Sequence, residues 1–427
     1  MSRPSAGLRK ENSVELSRAP LRIGFVGSGF IARFHLQSFE SVRDAQISAV
    51  YSPNPSHRQL FADAVNEKEL GPCRSLSSIE EMAGSDDVDA IWILGTNESR
   101  VETMQAIHRA VGNGAVLKGV ACEKPLARTL AEAREVRRLA VEAGLIHGYL
   151  ENMLFSTGIQ RGKDIIWRRG VPNAGRPYLA RATEEHSGPH SPWFWMGEKQ
   201  GGGVLTDMMC HSVEVARFLL TPPGQDRKSL NLRSASGSIA SLKWTRPEYV
   251  QVLKETMGPE VDYARRPSED FARGLLTLQD DEGHTALIET TTSWAYVGAG
   301  LRTQIELLGP EYAMEYNTLN SGLRVFFSRR ISGSAGEDLV EKQNAEQGLM
   351  PVVEDEAAVY GYTLENRHMV RCFRRGERPM ETFDDGVAVI EMLMALYRSA
   401  EIGQTVVLPD EALESFVPAV ARGEWRP

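Results

Sequence analysis

The sequence is poor in several features, and each shortage narrows what the protein can be. Its four cysteines, Cys73, Cys122, Cys210 and Cys372, are scattered without C-x-x-C spacing. That argues against a disulfide framework and fits reduced, buried thiols in a cytoplasmic protein. No Cys/His cluster has metal-ligand spacing, so no metal is expected. Basic residues form no block and the formal net charge is −9, which argues against nucleic acid or an anionic membrane surface as partner. No apolar run approaches the ~18 residues of a membrane span. The first twenty residues, MSRPSAGLRKENSVELSRAP, lack the apolar core of a signal peptide and read as a polar arm over 1–20.

What is present is a chain of 427 residues, 42% hydrophobic, long enough for two domains with sizeable cores. Between 21 and 149 the apolar runs LRIGFVG, AQISAVY, DAIWILG and GVACEKP alternate with helical patterns such as SRVETMQAIHRAV and LAEAREVRRLAVEAG. Alternation of this kind predicts βαβ units and a doubly wound parallel sheet, an α/β Rossmann-type domain. From 150 to 427 the character changes. VLTDMMCHSVEVARFLL reads as a helix, FARGLLTLQ and TALIETTTSWAY as a hairpin, and RTQIELLGPEYAMEYNTL as another turning at Gly309-Pro310. An α+β domain with an open, mostly antiparallel sheet and helices on one face is expected. The weakly periodic stretches 245–268 and 329–352 read as insertion loops. The final helices, ENRHMVRCFRRG and DGVAVIEMLMALYRSAEIG, are expected to return to the domain junction.

The most informative stretch is LRIGFVGSGFIA, a strand running into a G-x-G-x-x-A turn. Gly27 permits the tight turn, Gly29 lets backbone amides approach a pyrophosphate, and Ala32 lets the next helix pack closely. The helix opening at Phe30 and Ile31 offers unpaired N–H groups and a positive dipole end. Glu123-Lys124-Pro125 ends a strand whose carboxyl end should face the same crevice, which aims Lys124 at the reacting groups. Partial burial is expected to lower the Lys124 pKa toward acid/base use. Farther on, Gly201-Gly202-Gly203 precedes a helix carrying Asp207 and His211, four residues apart on one face. Asp207 could orient His211 and raise its basicity, giving a general acid/base.

Strand-GxGxxA, E-K-P and G-G-G-x-x-x-D-x-x-x-H, in this order, resemble the Gfo/Idh/MocA oxidoreductase family over about residues 21 to 400. The resemblance implies NAD(P) binding in the first domain and oxidation or reduction of a secondary alcohol on a sugar, cyclitol or related compound. The family's catalytic Lys, Asp and His fall on Lys124, Asp207 and His211, with either Lys124 or His211 as proton acceptor. Cofactor contacts are expected at Gly27, Gly29, Phe30, Ile31, Ser52, Asn97, Glu123 and Lys124. The chain departs from the family at Gly95-Thr96-Asn97-Glu98-Ser99-Arg100, which keeps the Asn of T-P-N-x-x-H but not its Pro or His, and leaves a role for Arg100 open. The second strand ends at Ser52, where NAD-preferring folds often place an acid. NAD is favoured and NADP stays open.

Substrate contacts are expected from Tyr149, Glu151 and Asn152 in GYLENM and from His186, His190, Trp193 and Trp195 in EEHSGPHSPWFW. The indoles could stack on a sugar's apolar face while the histidines bond hydroxyls or an anionic group. The expected activity is a sugar dehydrogenase. A redox-neutral NAD-dependent glycosidase, for example on sulfoquinovosides, and a non-catalytic NAD(P)-binding regulator are the alternatives. A homodimer or homotetramer through the C-terminal sheet is expected, because LLTLQ, ALIETTTSW and TQIELLG place Leu, Ile and Thr on both alternating faces rather than charge on the outer one.

Overall fold

Six parallel strands make the first sheet: β1 (Leu21–Val26), β2 (Ala45–Tyr51), β3 (Arg74–Ser75), β4 (Ala90–Ile93), β5 (Gly119–Glu123) and β6 (Ile146–Leu150). The structure, a computed structural model, describes residues 19–298, 300–320, 323–327, 348–353 and 355–427. The polar arm up to residue 18 and residues 329–347 of the loop read from the sequence lie outside the described residues, and the end of that loop, 348–352, is a strand rather than loop. The strand order β3-β2-β1-β4-β5-β6 reverses direction between β1 and β4. That reversal opens a crevice at the carboxyl ends of the strands, the place where such sheets bind ligands. Helices cover both faces, so β1, β4 and β5 are apolar on both sides, with Ile23, Phe25, Ile91, Trp92 and Val120 fully buried.

The second sheet has the order β12-β11-β7-β10-β9-β8-β15. Its strands are β7 (Leu179–Glu185), β8 (Asn231–Ala240), β9 (Phe271–Gln279), β10 (Thr285–Ser293), β11 (Arg302–Gly309), β12 (Tyr312–Asn317) and β15 (Val406–Val407). A short ribbon pairs β13 (Leu323–Phe327) with β14 (Gly348–Val352). Within the large sheet β7 and β10 pair parallel and the remaining neighbours antiparallel. Helices Val204–Leu220 and Phe383–Ile402 lie on one face, against which Leu276, Leu278, Ile288, Ile305 and Leu307 are buried. The period-two alternation of the strands decides which side chains turn inward.

Two further expectations need correcting. The stretch 245–268 is not all loop, because Pro247–Met257 forms a helix that buries Val250 and Leu253. Proline at its first position and apolar residues three apart, Val250 and Leu253, explain it. The outer sheet face is not free of charge: Arg181 pairs with Glu289 at 2.9 Å and Glu306 at 3.4 Å beside the exposed Leu275. The first domain's core is completed from far along the chain. Helix Tyr362–Arg375 puts Met369, Val370, Cys372 and Phe373 into the same cluster as Leu21, Ile23 and Phe25, and Trp92 Nε1 donates to Asn366 at 2.9 Å. All four cysteines are unpaired and buried. No helix among the described residues is long and apolar enough to cross a membrane.

Candidate active site

The crevice at the carboxyl ends of β1, β4 and β5 opens into a cavity of about 740 Å³ that continues across to the second domain. β1 is followed by Gly27, whose φ of +127° and backbone contact with Leu94 leave no room for a side chain. Gly29 is different: a Cβ built there meets nothing within 4 Å, because the space in front of it is cavity. Gly29 also caps the Phe30–Phe39 helix without any side-chain bond. The first helical bond runs from Arg33 N to Gly29 O, so the N–H groups of Phe30, Ile31 and Ala32 have no intrahelical acceptor. Uncapped donors, a positive helix end and an open cradle suit a pyrophosphate.

Asn97 and Asn152 border the same cavity, and each is buried with its amide nitrogen engaged. Asn97 Nδ2 donates to Gln200 O at 2.9 Å and Oε1 at 2.8 Å, and Asn152 Nδ2 donates to Tyr360 O at 2.8 Å. Both side-chain carbonyls lack a partner in the protein. Orphaned acceptors in a cavity wall are what a bound polyhydroxy ligand would satisfy. The residues present therefore fit a dinucleotide and a polar small molecule side by side. Ser52 follows the last residue of β2 and borders the same cavity, with no acid at its position.

Lys124 follows β5 and meets the second domain. Its Nζ donates to Asp207 O at 3.1 Å and lies 3.4 Å from Asp207 Oδ1. Burial strongly opposes its charge, but Asp207 together with Cys210, Glu123 and Glu184 outweighs burial and holds the ammonium above its ordinary pKa. This corrects the expectation of a lowered value. Arg100, whose role the sequence leaves open, is buried and donates to the backbone carbonyls of both Glu123 and Lys124, thereby fixing where the lysine sets out. Glu123 is buried against His35 Nε2 at 2.9 Å and accepts from Lys124 N at 2.9 Å.

Asp207 and His211 sit in the first two turns of helix Val204–Leu220. The glycines before it serve packing. A Cβ on Gly202 would strike Tyr397 and one on Gly203 would strike Glu269, whose carboxylate takes Gly203 N and Leu205 N at 3.0 Å each. The carboxylate that meets His211 is not the expected one. Glu151 Oε1 lies 2.6 Å from His211 Nδ1, while Asp207 is engaged by Lys124 and by Trp294 Nε1 at 3.2 Å. Burial pushes the His211 imidazole down to about 4 and Glu151 up to about 8.

Of the expected substrate contacts, Asn152, His190 and Trp193 border the cavity. His190 packs its ring 4.2 Å from that of Phe30, next to the glycine turn. The other four are placed elsewhere. Tyr149 is fully buried against Gly386 in the core, and Glu151 lies behind His211. His186 is buried with Nδ1 accepting from Gly188 N at 3.0 Å and Nε2 3.9 Å from Asp207. Trp195 is 2% exposed in an aromatic cluster with Trp244, Tyr263 and Trp294. Strand alternation explains Tyr149, which turns away from the crevice. Glu184, Phe194, Tyr360 and Tyr362 also border the cavity without having been singled out. Glu184 and Phe194 lie within the expected EEHSGPHSPWFW run, but the two tyrosines come from a distant segment that no local motif marks.

The comparisons with known proteins agree with this layout. Residues 21–149 match the model of the oxidoreductase family with an NAD-binding Rossmann fold, and residues 173–312 match the GFO/IDH/MocA C-terminal domain. A 1,5-anhydro-D-fructose reductase of Ensifer adhaerens is 31% identical over 202 residues, 47% of this chain and 56% of that relative. A D-apiose dehydrogenase of Paraburkholderia graminis is 24% identical over 403 residues, 92% of this chain and 91% of the relative. The crystal structure of GenD2 from gentamicin A biosynthesis, in complex with NAD, shares the fold with a TM-score of 0.72 and 22% identity, covering 92% of this chain and 97% of that one. With both domain models matched in order along the chain, the protein belongs to the Gfo/Idh/MocA family of NAD-binding oxidoreductases.

Proposed function

We propose that the protein is an NAD-dependent dehydrogenase acting on a secondary alcohol of a sugar, cyclitol or related ring polyol. One observation carries this reading: Lys124 from the end of β5 and Asp207 and His211 from the second domain border one cavity with the open glycine turn. The names of the relatives, a 1,5-anhydro-D-fructose reductase and a D-apiose dehydrogenase, point to the same substrate class.

NAD, when bound, supplies the hydride-accepting nicotinamide. The amides of Phe30 and Ile31 beyond Gly27 and Gly29 would hold its pyrophosphate, with Ser52 at the adenosine ribose and Asn97, Glu123 and Lys124 along the reactive half. Lys124, kept charged by Asp207, donates to the substrate oxygen and favours the developing carbonyl. His211, kept neutral by burial, accepts the hydroxyl proton. Trp193 offers an apolar face to the ring and Asn152 an acceptor for a hydroxyl. The cavity holds the reacting groups together, which supplies part of the rate.

The same reading carries a homodimer or homotetramer through the outer sheet face and a cytoplasmic setting. Leu275, 43% exposed between paired charges, and four unpaired cysteines support these. A light-scattering mass of only 47.3 kDa would contradict the assembly. A screen of sugars, cyclitols and aryl or sulfonated glycosides with NAD, following NADH and aglycone together, tests the activity. Net NADH with turnover is expected. Aglycone release without net NADH would favour a redox-neutral glycosidase, and neither signal with NAD bound would favour a regulator.

A further inference from the structure

Behind His211, on the side away from the cavity, lies a carboxyl group that the dehydrogenase reading does not use. Glu151 is fully buried just past β6. Its Oε1 is 2.6 Å from His211 Nδ1 and takes Met153 N at 3.3 Å, while Oε2 has no hydrogen-bond partner. A carboxyl group stripped of water with one oxygen unmatched is costly as a purely structural element. The cost is understandable in a group that exchanges a proton with the imidazole it touches. Because Glu151 occupies Nδ1, Nε2 is left as the ring nitrogen for the cavity.

We propose that Glu151 is a positioning residue that sets the tautomer of His211 and takes over its Nδ1 proton when Nε2 accepts the substrate's hydroxyl proton. This rests on the dehydrogenase reading for its chemistry. The alcohol O–H bond breaks and its proton bonds to Nε2. The Nδ1 proton crosses to Glu151 Oε1, leaving a neutral acid and a neutral imidazole. The electron pair of the C–H bond leaves as hydride to the dinucleotide, and charge and atoms balance.

The groups facing the pair come from every neighbouring element. Lys124 and Glu123 approach from the end of β5, Glu184 from β7, and Asp207 and Cys210 from the helix of His211 itself. Glu365 approaches from helix Tyr362–Arg375 and the Tyr149 phenol from β6. Lys124 favours the ionised carboxylate and Glu123 opposes it, so the single positive charge does not cancel the effect of burial. The proton-accepting form, carboxylate with Nδ1–H, is therefore the deprotonated form of the pair and gains population as pH rises through the Glu151 value of about 8.

The test uses the full chain, with Glu151→Gln and Glu151→Asp. Alcohol oxidation by the unaltered protein should rise with pH through that region. Glu151→Gln should lose that limb and at least ~10-fold in kcat, with Glu151→Asp recovering part of both. Calorimetric NAD affinity should be preserved in both variants, which separates this from misfolding. Independently of turnover, ¹⁵N-histidine NMR should find His211, assigned by its loss in His211→Asn, changing Nδ1 protonation with a midpoint near 8 that vanishes in Glu151→Gln. An unaltered pH limb and kcat in Glu151→Gln, or a His211 resonance indifferent to Glu151, overturns the proposal. If no alcohol is oxidised but the NMR coupling is present, the dehydrogenase reading fails and the carboxyl–imidazole pair stands.

Discussion

Lys124 Nζ donates to the Asp207 carbonyl at 3.1 Å and lies 3.4 Å from its carboxylate, so one charge pair joins the end of β5 to the leading turn of a helix in the other domain. Against strong burial, Asp207 with its neighbours Cys210, Glu123 and Glu184 raises the pKa, so the ammonium stays protonated well beyond neutral pH. Lys124 therefore acts as a charged donor. Lys124→Ala should lower kcat by at least ~100-fold, the scale of a lost acid/base or electrostatic group. No limb of the pH profile between about pH 6 and pH 9 should belong to Lys124. Turnover within ~10-fold of the unaltered protein would remove the lysine from the mechanism.

The two glycines of the first turn should separate fold from ligand. Gly27→Ala forces a Cβ to 2.7 Å from Leu94 O at a φ of +127°, which should cost about 1–3 kcal/mol in denaturant unfolding. Gly29→Val fills open cavity, so stability should hold while calorimetric NAD binding disappears. Unchanged NAD affinity in Gly29→Val would take the pyrophosphate out of this loop.

Much of this was legible in the sequence because it is local. The glycine turn, the E-K-P strand end and the Asp207/His211 helix each encode their geometry within a dozen residues. What was not legible depends on pairing across the chain. Glu151 and His211 are sixty positions apart, and only the fold decides that Glu151, rather than Asp207, reaches Nδ1. Arg100 holds two carbonyls that no side-chain pattern announces. Trp193 and Trp195 look alike in sequence, yet the short helix Pro192–Trp195 turns one toward the cavity and the other into the core.

That last difference is measurable. Trp195→Ala should cost about 3–5 kcal/mol of stability, the usual loss for a buried large aromatic. Trp193→Ala should leave the unfolding midpoint near that of the unaltered protein and raise KM more than it lowers kcat. The opposite pattern would place Trp193 in the core and Trp195 at the substrate.

Ser52 should set how strictly the cofactor is chosen. With no acid at the end of β2 to repel a 2′-phosphate, discrimination against NADP should be weak. Ser52→Asp should weaken NADP binding at least ~10-fold, about 1.4 kcal/mol, without weakening NAD. Equal losses for both dinucleotides would show that Ser52 does not face the adenosine ribose.

The central claim is that this cavity moves a hydride from a carbohydrate carbon to NAD. The most direct measurement takes the best substrate from the screen, deuterated at the carbon to be oxidised, and follows the label by mass spectrometry of both products. The account predicts one deuterium in the NADH formed, stoichiometric with ketone, and loss of that transfer in His211→Ala. Label retained in the carbohydrate, with aglycone released and no net NADH, would contradict it.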